Sequence, residues 1–398
     1  MQAGFECSTH KLRSGKRLDL LRSTEHDRYA SKDYTRLHDF GIRTVRLGAR
    51  WHLIEAAPRE YSFDSLDVFI DAAAETGTEF LLDLLHFGWP DHLDVFAPSF
   101  PRQFGRYVHA LARHVRRRAN CCTMFAPVNE ISFLSWGGGD VACVNPHARR
   151  RGAELKRNLV RCAVVASEIL LNELDGVRLI SPEPVIHIVG NPSISGDELE
   201  AENYRTAQFQ AWDMLSGRLA PELGGRPEYL DIIGVNFYDR NQWIHNSTVL
   251  SRTDPRYRPF HQILEEVRNR YHRPIFVSET GTEGAGRAEW FNYICDQVIQ
   301  AHICGTPVHG ICLYPIINHP GWEDDRYCCN GLFDYADNAG ERDVHWPLAH
   351  ALINQQQKLQ GSYQSVYDPE QHRPHLPLAS SLGFRIPAAA APNEPIRA

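Results

Sequence analysis

Short apolar runs and amphipathic stretches alternate eight times along this 398-residue chain, and no other feature limits its fold as tightly. The apolar runs fall at 1–7, 41–51, 78–87, 123–128, 176–182, 229–237, 274–279 and 307–315. The stretches between and after them fall at 27–40, 63–77, 102–118, 152–174, 203–217, 260–271, 288–303 and 347–360. In "FDSLDVFIDAAAETG" (63–77), Leu66, Phe69, Ile70, Ala73 and Ala74 share one helical face, and Gly77 stands where a C-terminal cap belongs. Alternating strands and helices imply a parallel sheet with its helices outside. Eight units in about 360 residues predict an α/β fold, a closed (β/α)8 TIM barrel forming one domain over 1–361. The alternative is an open doubly wound sheet, which usually carries a glycine-rich phosphate turn after its first strand. Here "FECSTHKLRSG" (5–15) stands at that place, with no GxGxxG. The remainder, 362–398, is rich in Pro and Ala and lacks periodicity, so it reads as an extended or disordered C-terminal extension.

Charge narrows the partners. A net charge of -7 argues against nucleic acid or an anionic membrane surface. Arg116–Arg118 and Arg149–Arg151 read as solvated helix ends. No run of 18 apolar residues occurs, and the N-terminus has no apolar signal region, so neither a membrane span nor export is expected. Ten cysteines without a CxxC argue against a zinc ribbon and for reduced thiols in a cytoplasmic protein. The expected partner is a small-molecule or oligosaccharide substrate, with no metal and no cofactor.

A barrel fills its interior with side-chain layers, so chemistry belongs at the C-terminal ends of the strands. Those ends are unusually polar here. Strand two carries Arg46, and strand three ends in His86. Strand four ends in Asn129-Glu130, and strand five is followed by Glu183. Strand six ends in Asn236 and Tyr238, and strand seven in Glu279. Strand eight is followed by Tyr314, Asn318, Trp322, Glu323 and Asp324. Taken singly, each has a plain structural explanation. Glu130 could favour a helix start through the dipole, Glu279 could open a loop, and His86 could be a satisfied core histidine. Taken together, Glu130 and Glu279 on strands four and seven are two carboxylates across one barrel mouth. Hydrolysis of a glycosidic bond needs such a pair, one protonated to donate to the leaving oxygen and one ionised to attack or to activate water.

The motifs also resemble a known family. "TVRLGARW" (44–51), "HFGWP" (86–90), "VNE" (128–130), "IIGVNFY" (232–238) and "FVSETG" (276–281) are similar, in this order, to motifs of the retaining β-glucosidases, glycoside hydrolase family 1. The resemblance covers about 1–335. It implies Glu130 as acid/base and Glu279 as nucleophile. It also implies that Asn129 binds the sugar 2-hydroxyl, that His86 binds a glycone hydroxyl, and that Arg46 and Tyr238 hold Glu279 ionised and oriented. Several family positions differ. The Asp of the His-Trp-Asp turn is Gly88, the residue after the acid/base is Ile131, and the residue after the nucleophile is Thr280. The strand-eight region is "YPIINHPGWEDD" (314–325), and "FECSTH" (5–10) replaces the segment holding the family's Gln. The glycone therefore cannot be inherited as glucose.

Other expectations concern the rim. Trp322, Glu323 and Asp324 are candidates for gripping glycone hydroxyls, with Asn236 also on the substrate side. "LSWGGGDVACVNPHARRRG" (134–152) reads as a Gly-rich loop forming an acceptor-side wall, with Trp136 against a sugar face. A double-displacement mechanism requires the two carboxyl groups roughly 5 to 5.5 Å apart. Transglycosylation on the same site and a non-catalytic carbohydrate-binding barrel are the alternatives. A metal-dependent barrel hydrolase would need an HxH after strand one, which is missing.

Overall fold

The computed structural model describes residues 1–118 and 122–366. Eight parallel strands close into a barrel. They are β1 (Gln2–Gly4), β2 (Thr44–Gly48), β3 (Glu79–Asp83), β4 (Met124–Ala126), β5 (Arg178–Pro184), β6 (Ile232–Asn236), β7 (Ile275–Thr280) and β8 (Val308–Leu313). Each pairs with the next in sequence. β8 returns to β1 through Gln2 opposite Cys312 and Ala3 opposite Leu313. This is the (β/α)8 TIM barrel that the alternation predicts, with helices on the outside.

The pleat sorts the side chains. On β2, Val45 and Leu47 join the large core between strands and helices, while Arg46 belongs to the other face. Leu81, Ala126, Ile180, Phe276, Cys312 and Tyr314 form a separate apolar cluster drawn from five strands and the end of β8. The helices pack as their periodicity demands. Helix Asp64–Thr76 buries Leu66, Phe69, Ile70, Ala72 and Ala73. Ala74, expected on that face, is exposed. Gly77 closes the helix at φ 69°, its N–H reaching Ala73 O.

Several elements differ from their expected form. The stretch 203–217 is broken into Asp197–Thr206, a 3-10 turn Ala207–Phe209 and Gln210–Leu215. The Gly-rich stretch after β4 is not a loop. Helix Ile131–Leu134 runs into a π-helical turn, Ser135–Asp140. Its glycines serve close approach, since a Cβ on Gly139 would lie 2.7 Å from Gly152 Cα. The last helix, Trp346–Val366, passes the expected boundary at 361. The rest of the extension, 367–398, lies outside the described residues. Arg116–Arg118 do end the helix Phe100–Arg118, where Arg116 pairs with Glu173 and Arg118 with Asp71. Among the described residues no helix is long and apolar enough to cross a membrane, and the cysteines are free thiols.

Candidate active site

Arg46 is the hub of the barrel mouth. It is fully buried, and a buried guanidinium is tolerated only when its donors and its charge are met. All five N–H groups have acceptors. Nε and Nη2 reach Asp83 Oδ1 and Oδ2 at 3.0 and 2.7 Å. Nη2 also reaches Asn129 Oδ1 at 2.7 Å. Nη1 reaches Glu279 Oε1 at 2.7 Å and Ser278 O at 3.0 Å. The ring of Tyr314 lies 5.4 Å from the guanidinium carbon. One side chain on β2 thus ties β3, β4 and β7 together.

The network also fixes the contacts of His86. Because Arg46 only donates, Asn129 must offer its oxygen there, leaving its NH2 to face His86 Nε2 at 3.2 Å. His86 Nε2 therefore accepts, and its proton sits on Nδ1, 2.7 Å from Asp83 Oδ2. Asp83 and the neighbouring Cys7 sulfur favour an imidazolium. Together they raise its pKa well above the ordinary value against burial, while the Asn129 amide at Nε2 opposes a second proton. Both ring nitrogens are thus occupied by protein groups.

Glu279 sits on β7 with both oxygens held, Oε1 by Arg46 and Oε2 by the Tyr238 hydroxyl at 2.8 Å. Burial pushes its carboxyl above the ordinary value, opposed by Arg46 first and then by His86 and Tyr238. Glu130 lies one residue beyond Asn129, at φ 47° and ψ 59°. This left-handed backbone is uncommon for a residue with a side chain and concentrates at functional positions. Its N–H donates to Pro182 O at 3.0 Å. Although Glu130 stands at the N-cap of Ile131–Leu134, its side chain makes no cap bond. Glu130 Oε1 instead accepts from Asn236 Nδ2 at 2.8 Å. The amide of Asn236 is oriented by Ser278 Oγ, which donates to Oδ1 at 2.6 Å. Burial, then the charge of Glu279, pushes the Glu130 carboxyl up to about 8, with Asn236 opposing. The carboxylate that does meet that short helix is Glu183, which accepts from Ser132 N at 2.9 Å and is pushed up to about 7 by burial.

The structure thus brings Arg46, His86, Asn129, Glu130, Asn236, Tyr238 and Glu279 into one bonded network. It does not bring Glu323 there, for Glu323 and Asp324 are exposed on the strand-eight loop. Trp322 is half-buried in an aromatic group, with ring centroids 4.9 Å from His10, 5.7 Å from Phe87 and 6.4 Å from Phe133. Trp136 is exposed beside Phe133. Asn318 serves its own loop, accepting from Gly331 N and donating to Tyr327 OH. Asp83 and Ser278 were not singled out from the sequence. Asp83 had one signal, a lone carboxylate inside the apolar run "FLLDLLHF". Cys7, Asp83 and His86 hold potential ligand atoms within 4.8 Å of one another. Arg46 takes both Asp83 oxygens, and its charge opposes a cation there.

No family model matches the chain, and no curated protein does. Solved structures do. A β-glucosidase from Thermotoga maritima, in complex with glucoimidazole, superposes with a TM-score of 0.67 at 15% identity, over 83% of this chain and 86% of that one. The AHE enzyme from Alicyclobacillus herbarius superposes with a TM-score of 0.71 at 14% identity, over 84% and 87%. The Thermotoga maritima β-glucosidase in complex with deoxynojirimycin is similar at 14% identity, over 83% and 87%. At these identities the likeness shows the fold alone, the closed barrel.

Proposed function

We propose that this barrel is a retaining β-glycoside hydrolase. The observation that carries the reading is the unequal treatment of its two central carboxyls. Glu279 is bonded to a guanidinium, while Glu130 has only an amide donor and is pushed up to about 8. At neutral pH Glu130 holds a proton, and Glu279 faces the cation that favours its ionised form.

In the first step Glu279 attacks the anomeric carbon, and the bond to the aglycone oxygen breaks. Glu130 delivers its proton to that oxygen, so a neutral alcohol leaves and a glycosyl ester on Glu279 remains. In the second step the Glu130 carboxylate takes a proton from water, whose oxygen attacks the anomeric carbon. The ester bond breaks, releasing the sugar with its original configuration and restoring both residues. Arg46 and Tyr238 position the nucleophile, one at each oxygen. Asn236, held by Ser278, positions Glu130. Asn129 presents its amide beside the sugar's expected place, and the Asp83–His86 pair orients that amide.

The test is release of nitrophenol from a panel of aryl β-glycosides by the wild type and Glu279→Gln. Activity on at least one sugar is expected, with a loss on the order of 10^3-fold or more in the folded variant. Turnover that survives the substitution would remove Glu279 from the nucleophile role.

A further inference from the structure

We propose that Glu183 is a positioning residue for Glu130: from β5 its carboxylate clamps the turn that presents Glu130 and sets a negative charge behind it. The proposal rests on the hydrolase reading for what Glu130 does, not for the clamp. A left-handed backbone such as that of Glu130 persists only where its surroundings over-determine it. The end of β5 supplies three restraints. Pro182 O accepts from Glu130 N at 3.0 Å, Glu183 Oε2 accepts from Ser132 N at 2.9 Å, and Val185 N donates to Asn236 O at 3.1 Å. The first two hold the backbone on either side of Ile131. The third ties β5 to the residue whose amide grips the Glu130 carboxyl. The strand is anchored from outside, where Trp212 Nε1 donates to Ser181 O at 3.0 Å. Glu183 thus caps the helix Ile131–Leu134 from another strand, a task usually met by the N-cap side chain. That leaves the Glu130 carboxyl to Asn236 and to chemistry.

The clamp also brings a charge. Glu183 is 2% exposed. Lys156, on the helix Gly152–Glu173, is the cation that acts on it. Lys156 Nζ donates to Gln210 Oε1 at 2.9 Å and makes no ion pair with Glu183 among the described residues. It therefore offsets the Glu183 charge only in part. Burial pushes Glu183 up to about 7, opposed by the Ser132 N–H and by Lys156. The titratable groups facing Glu130 are Glu279 on β7, Glu183 on β5, His86 after β3 and Tyr238 after β6. Burial, Glu279 and Glu183 push the Glu130 carboxyl up, and Asn236 and His86 oppose them.

The order of ionisation follows. Glu183, at about 7, loses its proton before Glu130, at about 8. Its charge then holds the proton on Glu130, where the first step needs an acid. In the glycosyl ester Glu279 has no charge. Glu183 is then the carboxylate left beside Glu130, and it sustains the basicity that the second step needs. A residue that only capped the helix would change stability and leave the titration of Glu130 alone.

Two conservative variants separate the charge from the clamp. Glu183→Gln keeps an acceptor for Ser132 N and removes the charge. Glu183→Asp keeps the charge and withdraws the acceptor by one methylene. The Glu130 carboxyl is titrated by carbon-13 NMR in the full chain labelled at its glutamate carboxyls, its signal identified by loss in Glu130→Gln. This readout needs no turnover. The Glu130 midpoint is expected to fall by about half a pH unit or more in Glu183→Gln and to move less in Glu183→Asp. The alkaline limb of kcat/KM should move down with it in Glu183→Gln. Glu183→Asp should instead lose about tenfold or more on glycosides with poor leaving groups, and less on activated ones. A Glu130 midpoint unchanged or raised in Glu183→Gln, or no loss on poor leaving groups in Glu183→Asp, would overturn the proposal. A lowered midpoint in a protein that hydrolyses no glycoside would keep Glu183 as the group that tunes Glu130 and sink the hydrolase reading.

Discussion

The two sides of the barrel mouth are built differently. On the side formed by β2, β3, β4, β6 and β7, each acidic or amide side chain is held by another protein group. Arg46 alone spends five N–H donors there. On the side of the β1 loop, Glu6 Oε2 is open and His10 Nδ1 is buried without a partner. A saturated network fixes charges before a substrate arrives, which is what stabilising a short-lived charge distribution requires. Open polar atoms are completed by a ligand. On the hydrolase reading proposed above, the first side carries the chemistry.

Several variants would break or sharpen that contrast. Glu130→Gln strikes the saturated side hardest. Hydrolysis of glycosides with poor leaving groups should fall by roughly 10^2- to 10^4-fold, the usual worth of a general acid, while activated aryl glycosides lose far less in the first step. Leaving-group dependence of kcat/KM measures this, and an equal loss on both classes would deny the acid role. Arg46→Met should cost stability as well as activity. It leaves Asp83 and Glu279 buried without their cation, a loss of about 3–5 kcal/mol in chemical unfolding. A variant as stable as the wild type would mean that the carboxyls take up protons at little cost.

The pH profile should follow the proton on Glu130. Activity is expected to fall as pH rises through about 8, where the acid loses its proton. Asn236 donates to the Glu130 carboxylate and so favours ionisation. Asn236→Ala should therefore move the alkaline limb to higher pH, and a shift to lower pH would contradict the assignment. The smallest effect is expected at the rim. Glu323→Ala should change kcat/KM by less than about twofold, as for an exposed residue away from such features. A large loss there would place sugar recognition on the strand-eight loop.

The barrel was legible because short apolar runs and period-3.6 stretches alternate eight times and no glycine-rich phosphate turn follows the first run. Glu130 and Glu279 were legible because polar residues directly after apolar strands point to one place in such a fold. Asp83 and Ser278 were not, since their partners stand 37 and 42 positions away in sequence. Only the closed barrel brings them together. Glu323 is exposed on the strand-eight loop and outside the bonded network, and its expected contact with the sugar depends on the path of that loop rather than on its composition. The glycines after β4 suggested a loop, whereas close packing on Gly152 uses them inside a π-helical turn.

The central claim is that Glu279 becomes covalently bonded to the sugar with Glu130 as its acid. It is tested most directly by mass spectrometry of the wild type treated with activated 2-deoxy-2-fluoro β-glycosides of several sugars. The expected result is a mass gain of one glycosyl unit on the peptide containing Glu279, absent in Glu279→Gln. Hydrolysis of the parent glycosides with no adduct on Glu279, and release of the inverted anomer, would contradict it.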